Sequence, residues 1–434
     1  MARNVLALLL RNDYNSRMAN IIDELNYRGL IQQYSDEKSV RELLETKQTI
    51  YCGFDPSAAS MHLGNYAMIS LLRRFQLAGH RIVALVGGGT GMIGDPSGKS
   101  AERNLLTKEK LAFNTAAIKA QLERFIDLED PDKGVLVSNL DWLGELSMID
   151  FLRDYGKYFS VNYMLSKEIV KSRLEAGISF TEFSYQILQS IDFYHLHHAY
   201  GVSMQIGGND QWGNLTSGLE LIRKIDGLDE KVEVMTGKLI LRSDGKKFGK
   251  SEKGALFLDA NLTSPYEIYQ FLFNVSDEDA IRFLKIFSFL SIEEIEAVAR
   301  EHFANPGARI GQKTLAYEIT KDLHGKEAAD HAIQLAETLF SGNVSSLNES
   351  EIEMVFGSFK KEVEGDRTIG DLLVEIGAAT SKREARTFVT GNSVLVNGEK
   401  VTEIGTLLGK EGALHGKYTL IRRGKKNYYL VFWK

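Results

Sequence analysis

Residues 81–100 read RIVALVGGGTGMIGDPSGKS, an apolar, β-branched run Arg81–Val86 that breaks into three glycines. A short, unbroken apolar run closed by Gly87, Gly88 and Gly89 predicts a strand buried on both faces, followed by a loop with a permissive backbone. The pattern repeats outward from there, at Thr49–Cys52 on one side and at Val135–Val137 and Val202–Ile206 on the other. Helical periodicity occupies the intervals, at Leu105–Phe125, Ser166–Leu174 and Phe180–His198. Strand and helix in alternation predict an α/β fold, a Rossmann-like doubly wound parallel sheet with helices on both faces. Such sheets bind ligands beyond the carboxyl ends of their strands, which directs attention to the loops after Cys52, Val86 and Ile206.

The glycine loop tempts two readings. Gly89, Gly91 and Gly94 satisfy G-x-G-x-x-G after a strand, as a dinucleotide site requires, but an acidic residue ending a second strand about 20 positions later is missing. Lys108–Phe125 reads instead as one helix. Gly94–Ser100 approaches a P-loop but leaves three residues, not four, before Gly98-Lys99-Ser100, so the loop is too short to wrap phosphates. What survives is Asp95 presented past a strand end, with Lys99 and Arg103 close behind.

The chain has 434 residues, 44% of them hydrophobic and 25% charged, which suits a globular protein of several domains and rules out disordered or small stapled classes. One cysteine, Cys52, excludes an internal disulfide and a multi-cysteine metal site. No run approaches the ~18 apolar residues of a membrane span. Residues 1–17 imitate a signal peptide only faintly and are expected to be a disordered extension of a cytoplasmic protein. A catalytic sheet domain is expected over 18–237, a mobile lysine-rich loop over 238–264, a helical domain over 265–340, a linker over 341–365 and a compact tail over 366–434. The formal net charge of −6 argues faintly against a nucleic-acid partner, but the tail alone carries twelve basic and seven acidic side chains, leaving −11 on the remainder.

Two basic signatures lie far apart. Gly53-Phe54-Asp55-Pro56-Ser57 leads into His62-Leu63-Gly64-Asn65, where an imidazole and a glycine open a helix, a natural anion site. Lys247-Phe248-Gly249-Lys250-Ser251 places two lysines three apart on a glycine-rich loop, suited to a departing polyphosphate. In this order on a doubly wound sheet they resemble the His-Ile-Gly-His and Lys-Met-Ser-Lys-Ser signatures of class I aminoacyl-tRNA synthetases. With the strings YCGFDPSAASMHLGN, VGGGTGMIGDPSGK, FTEFSYQILQSIDF and MQIGGNDQWGN, the chain from about Met18 onward resembles the bacterial tyrosyl-tRNA synthetases.

That resemblance implies activation of L-tyrosine by ATP, carried with Mg2+, to tyrosyl-adenylate and pyrophosphate, then transfer to the 3′ end of tRNA(Tyr). It implies catalytic roles for Ser57, His62, Lys247, Lys250 and Ser251, with Lys99 and Arg103 as further cations. Tyr51 and Asp192 are expected at the phenol, and Asp95, Tyr185 and Gln189 at the α-amino group, with Gln211 on the tyrosine side. Cys52, Gly53, Asp55, His62, Gly64, Asn65, Gly208, Asp210 and Lys250 are expected at the ATP or adenylate. Asn65 stands where the family's signature has its second histidine, and Phe248-Gly249 replaces Met-Ser. A site that hydrogen-bonds a hydroxyl rejects the analogue lacking it, a behaviour for which tyrosyl-tRNA synthetases are themselves the known example. Neither a carboxylate cage nor a His/Cys cluster marks a protein-held metal; His195, His197 and His198 read as surface or interface residues.

The tail resembles an S4-like RNA-binding domain. Lys382, Arg383 and Arg386 would present one basic helix face, with Arg422, Arg423, Lys425 and Lys426 as a second patch and Tyr428, Tyr429 and Trp433 interleaved. Val394–Val401, with Asn397-Gly398 at its centre, predicts a hairpin. The family further suggests a homodimer through the aromatic stretch Phe151, Tyr155, Tyr158, Phe159, Tyr163 and Phe180, a stretch that equally suits a core. Two other readings compete: an NAD(P)-linked oxidoreductase on Gly89–Gly94, and a synthetase-like RNA-binding protein without catalysis. The lysine loop disfavours the first, and intact His62, Lys247 and Lys250 the second.

Overall fold

The computed structural model describes residues 20–97, 105–175, 177–251, 254–424 and 427–434. Segment 1–17, Lys99, Arg103, Lys425 and Lys426 therefore lie outside the described residues. The chain divides into two compact units, Met1–Leu262 with Val275–Leu315, and Thr263–Asn274 with Ala316–Lys434.

In the first unit six strands form one sheet: β1 (Ile31–Tyr34), β2 (Thr49–Phe54), β3 (Arg81–Val86), β4 (Gly134–Ser138), β5 (Val202–Gly208) and β6 (Glu233–Gly237). Their order is β1-β6-β5-β2-β3-β4. Strands β2 to β6 are mutually parallel and β1 runs antiparallel to β6. From β2 the chain winds outward through β3 and β4, then returns to the other side of β2 as β5. That reversal opens a crevice at the carboxyl ends of β2 and β5, the site at which doubly wound sheets hold ligands. Ile82 through Val86 are all buried, as a strand covered on both faces requires. Val83 and Leu85 join Tyr51, Phe193, Leu196 and Leu215 in one core layer under the helices Phe180–Tyr200 and Trp212–Asp226. The helices Leu63–Leu77 and Lys108–Phe125 also pack on β3 and meet through Tyr66 and Phe125, ring centroids 5.8 Å apart.

Local chemistry sets the helix that carries half of the expected tyrosine contacts, Tyr185, Gln189 and Asp192. Ser179 caps its first turn by accepting from the Glu182 N–H, and Gly201, at φ 68°, ends it in the left-handed conformation that glycine tolerates. The end of the lysine signature, β7 (Lys250–Ser251), pairs antiparallel with β8 (Gly254–Ala255). The helices Asp277–Phe287 and Ile292–Ala304 belong to this first unit, so the helical stretch 265–340 is shared between the two units.

The second unit holds a sheet of β12 (Glu399–Lys400), β11 (Val394–Val396), β14 (Tyr418–Arg423), β15 (Asn427–Trp433) and β9 (Lys360–Val363), in that order. A two-stranded pair, β10 (Arg367–Thr368) with β13 (Leu407–Leu408), lies beside the helix Ile369–Glu375. Asn397 at φ 50° and Gly398 at φ 91° make the tight turn expected between β11 and β12. The stretch 341–365, read as a linker from its polar composition, instead carries the helix Glu349–Phe356 and strand β9. Asn348 and Glu351 form a reciprocal capping box there, and Ile352 and Phe356, one turn apart, bury the inner face. Its polar residues are the helix's caps and solvent side.

Candidate active site

At the end of β2, Tyr51 and Cys52 are buried while Asp55 emerges at the crevice. Asp55 Oδ2 accepts from the Tyr185 hydroxyl at 2.7 Å, and Oδ1 accepts from Thr90 Oγ1 at 2.9 Å. Asn139 Nδ2 donates to Thr90 Oγ1 and to Asp192 Oδ2, both at 2.9 Å, while its Oδ1 accepts from the Gly89 N–H at 2.8 Å. Trp142 Nε1 donates to Asp192 Oδ1 at 2.8 Å, and its ring stacks on His195 with centroids 4.3 Å apart. One hydrogen-bonded chain therefore runs Tyr185–Asp55–Thr90–Asn139–Asp192–Trp142, tying together the ends of β2 and β4, the glycine loop and the Phe180–Tyr200 helix. The glycines make room for it. A Cβ on Gly87 would stand 2.1 Å from Asp55 Oδ1 and 2.5 Å from Thr90 Oγ1. The glycine loop thus admits the protein's own side chains rather than opening a dinucleotide-binding helix. Thr90–Met92 is a 3-10 turn, and the next strand after the Lys108–Phe125 helix is β4.

A second network sits across the crevice at the end of β5. Asp95 Oδ1 accepts from the Ser97 N–H at 2.9 Å and hydroxyl at 2.6 Å, and Oδ2 accepts from Gln211 Nε2 at 2.6 Å. Gln211 Oε1 in turn accepts from Asn214 Nδ2 at 3.1 Å. Gln189 is buried one turn from Tyr185 on the same helix. Asp210 opens at the mouth of the crevice, and partial desolvation, with Asp95 nearby, raises its carboxyl above the usual range. A Cβ on the adjoining Gly208 would lie 2.7 Å from Asp210 Oδ1.

Electrostatics sort these groups. Burial raises Asp192 from 3.8 to about 7, against the hydrogen bonds from Asn139 and Trp142 and with help from Asp55. Burial, then the negative charges of Asp192 and Asp55 among others, pushes Tyr51 well above the usual phenol range, with Gln205 beside its hydroxyl. Burial and Asp55 do the same to Tyr185. Both phenols stay protonated as donors at neutral pH. Burial pushes the Cys52 thiol up to about 12, which suits a small apolar strand residue rather than a nucleophile.

The two basic signatures meet at the start of the Leu63–Leu77 helix. The Leu63 N–H donates to Leu256 O at 2.7 Å, the Leu256 N–H donates to Gly249 O at 3.0 Å, and His62 pairs with Phe257 in an antiparallel bridge. Gly249, at φ 80°, lies so close that a Cβ on it would stand 2.7 Å from the Gly64 backbone nitrogen. A Cβ on Gly64 would meet the His62 ring at 2.9 Å. Burial lowers the His62 imidazole below its ordinary range, and the Lys250 ammonium lowers it further. Asn65 Oδ1 accepts from the His62 N–H at 3.0 Å, so the residue at the second-histidine position fixes the helix start and keeps its amide N–H groups as donors. Lys247 and Lys250 are exposed at this edge, Phe248 between them is buried, and Ser251 Oγ donates to Gly254 O at 3.2 Å. Ser57 and Gly53 are exposed beyond the crowded part of β2.

Thr90, Asn139, Trp142 and Asn214 were not singled out from the sequence. Thr90 and Asn214 lie inside the quoted strings VGGGTGMIGDPSGK and MQIGGNDQWGN, and Asn139 lies just past the end of a predicted strand; Trp142 carried no signal. Among the described residues, no group of three or more His, Cys, Asp or Glu side chains could hold a metal ion, and no helix is long and apolar enough to cross a membrane. In the second unit Lys382, Arg383 and Arg386 are exposed on the Lys382–Thr390 helix, whose Ala385 and Val389 face the core. Lys382 pairs with Asp371 at 2.5 Å, and the Arg423 guanidinium lies 5.0 Å from the Phe388 ring centroid.

Comparison with known proteins places this geometry. Residues 44–341 match the class I tRNA synthetases (W and Y), and residues 351–431 match the tyrosine–tRNA ligase SYY-like C-terminal domain. The chain is 51% identical over 416 residues to the tyrosine–tRNA ligases of Bacillus caldotenax and Geobacillus stearothermophilus, covering 95% of this chain and 99% of each relative. Among solved structures it is similar to a C-terminally truncated mitochondrial tyrosyl-tRNA synthetase of Aspergillus nidulans, with TM-score 0.67 and 28% identity over 78% of this chain and 99% of that one. The corresponding Coccidioides posadasii structure gives 0.64 and 27% over 77% and 96%. A crevice with a buried carboxylate network on one side and paired His-x-Gly and lysine signatures at its edge thus sits in a chain that belongs to the tyrosine–tRNA ligase family of class I tRNA synthetases.

Proposed function

We propose that this crevice performs the family's first step, in which the tyrosine carboxylate attacks the α-phosphate of ATP, entering as its Mg2+ complex, and pyrophosphate leaves. No group of the chain forms a covalent bond with substrate; its contribution is orientation and stabilisation of developing phosphate charge. Asp192 accepts the tyrosine phenol proton in a hydrogen bond and Tyr51 supplies a second phenol-side contact. Asp95 with Gln211, and Tyr185 with Gln189, receive the α-ammonium. Asp55, Cys52, Gly53, Asn65, Gly208 and Asp210 border the nucleotide. Ser57, His62, Lys247, Lys250 and Ser251 meet the polyphosphate.

The observation that carries this reading is the seating of Gly249 on the Gly64 backbone, which sets the lysine signature and His62 at one edge of one crevice. A neutral imidazole suits that place, since it donates to phosphate without repelling the neighbouring lysines. The second step transfers the tyrosyl group to tRNA(Tyr), gripped by Lys382, Arg383 and Arg386, in the cytoplasm. Exposed Met148, Ile149, Leu152, Val161 and Phe180 support a homodimer through that face, while Phe151, Tyr155, Tyr158 and Phe159 pack inward on Met164, Ile187 and Ile191. Single-turnover formation of tyrosyl-adenylate tests the reading. His62→Ala and Lys250→Ala should each slow it about a hundredfold with tyrosine Kd unchanged, and unaltered rates in both would remove the signatures from the chemistry.

A further inference from the structure

The lysine signature leaves the body of the crevice on a hairpin that the tyrosine and nucleotide contacts do not explain. The Phe248 N–H donates to Ile240 O at 3.0 Å, Leu241 and Lys247 form an antiparallel bridge, and the Arg242 N–H donates to Lys246 O at 2.8 Å. Gly245, at φ 79°, completes the turn around Ser243 and Asp244. A lone two-stranded ribbon is marginal in water and needs a support.

The Asp277–Phe287 helix supplies it along one face. Asp279 is 1% exposed, and its Oδ2 accepts from the Ser243 N–H at 2.9 Å and the Ser243 hydroxyl at 3.0 Å. Its Oδ1 accepts from Arg282 Nη2, which also donates to Leu241 O at 2.5 Å. Burial alone would raise this carboxyl, but the hydrogen bonds from Ser243 and Arg282 outweigh it and hold it below the usual range. Further along the same helix, the Phe283 and Phe287 rings lie 4.6 and 4.5 Å from the ring of Phe248. Asp279 to Phe287 spans about 12 Å at the α-helical rise, so the helix clamps the hairpin tip at one end and its base at the other. Lys247 rides on the strand between those clamps.

We infer that Asp279 is a positioning residue for adenylate formation, acting by fixing the hairpin that presents Lys247. This rests on the reading of Lys247 as a phosphate contact. Without the carboxylate, the Ser243 N–H and the Arg282 guanidinium lose their common partner, and the tip keeps only the Ser243–Ser276 hydroxyl contact at 3.1 Å and the Arg282 bond to Leu241 O. Lys247 then samples many positions, and misplacement by about 1 Å can cost on the order of a hundredfold.

A double-mutant cycle tests it. Single-turnover adenylate formation and tyrosine Kd are measured for the parent, Asp279→Ala, Lys247→Ala and the double variant. Asp279→Ala should slow the reaction about ten- to a hundredfold with tyrosine Kd unchanged, and the double variant should be no slower than Lys247→Ala. A purely structural role would not produce that non-additivity. Ser243→Ala removes one of Ser243's two bonds to Asp279, together with the hydroxyl contact to Ser276; it should slow the reaction by a smaller factor, and it carries the same cycle if Asp279→Ala does not fold. A parental rate in folded Asp279→Ala, or equal slowing by Asp279→Ala with and without Lys247, would overturn the inference. A parental rate in Lys247→Ala would overturn the phosphate reading of that lysine, and this inference with it.

Discussion

Asp192 offers the most quantitative handle on the crevice. Its carboxyl is raised to about 7 because burial costs more than Asn139 and Trp142 return. Tyr51 and Tyr185, which share its surroundings, are held above the phenol range and do not titrate near neutrality. If the phenol of tyrosine donates to ionised Asp192, the ligand binds the carboxylate form. That form makes up about a tenth of the population at pH 6, half at pH 7 and nine-tenths at pH 8. Tyrosine Kd should therefore fall nearly tenfold from pH 6 to pH 8, with about half a proton released on binding at pH 7. Isothermal titration calorimetry in buffers of differing ionisation enthalpy reads both quantities. Asp192→Asn should abolish the slope and weaken binding at pH 8 by about 1.5–3 kcal/mol, the worth of a charge-assisted hydrogen bond.

The sign for stability runs the other way. The folded, ligand-free chain keeps a proton that the unfolded chain loses near pH 4. The Asp192 contribution is thus fully present below pH 4 and lost as pH rises through about 7. Asp192→Asn carries a constant penalty, since one amide oxygen cannot satisfy both Asn139 and Trp142, yet its Tm relative to the parent should climb between pH 5 and pH 8. A pH-independent tyrosine Kd in the parent, or an unchanged slope in Asp192→Asn, would refute the argument.

Gly249→Ala places a Cβ 2.7 Å from the Gly64 nitrogen on a backbone at φ 80°, and backbone on both sides cannot yield. It should unseat the lysine loop and slow adenylate formation about a hundredfold while sparing tyrosine binding. Gly254→Ala, where nothing lies within 4 Å of the new Cβ and φ is 122°, should show only the left-handed strain, of order 1 kcal/mol in stability. In the second unit, Arg383→Ala and Arg386→Ala should weaken tRNA(Tyr) binding and each lower the slope of log K against log salt by about 0.7–0.9, leaving adenylate formation intact. A gel-shift titration over several salt concentrations reads this.

The parts of the fold written in local periodicity were legible: β2 through β5, the long helices between them, and the Asn397-Gly398 turn. Strands β1 and β6 were not. Ile31-Gln32-Gln33-Tyr34 is a short edge with two glutamines, and Glu233–Gly237 is buried despite its glutamate and threonine. Stretch 341–365 misled because its polar residues are caps and solvent-facing positions around a small apolar face of Ile352 and Phe356. Both signatures were visible as residue types, but their meeting was not, because Gly249 reaches Gly64 only through tertiary folding. Asn139 and Trp142 escaped for the same reason: they lie about 50 positions from Asp192 and belong to no periodic pattern. Helix Asp277–Phe287 read as one member of a separate helical module, whereas Asp279, Phe283 and Phe287 place it beneath the lysine hairpin.

In the proposed function, one crevice joins a tyrosine-reading carboxylate to a phosphate-binding edge. Amino-acid-dependent exchange of label between pyrophosphate and ATP tests it most directly, since exchange requires both halves at once. Exchange should be rapid with tyrosine and far slower with phenylalanine, and the gap between the two should narrow in Asp192→Asn. Absence of tyrosine-dependent exchange in the folded chain, or an unchanged gap in Asp192→Asn, would contradict it.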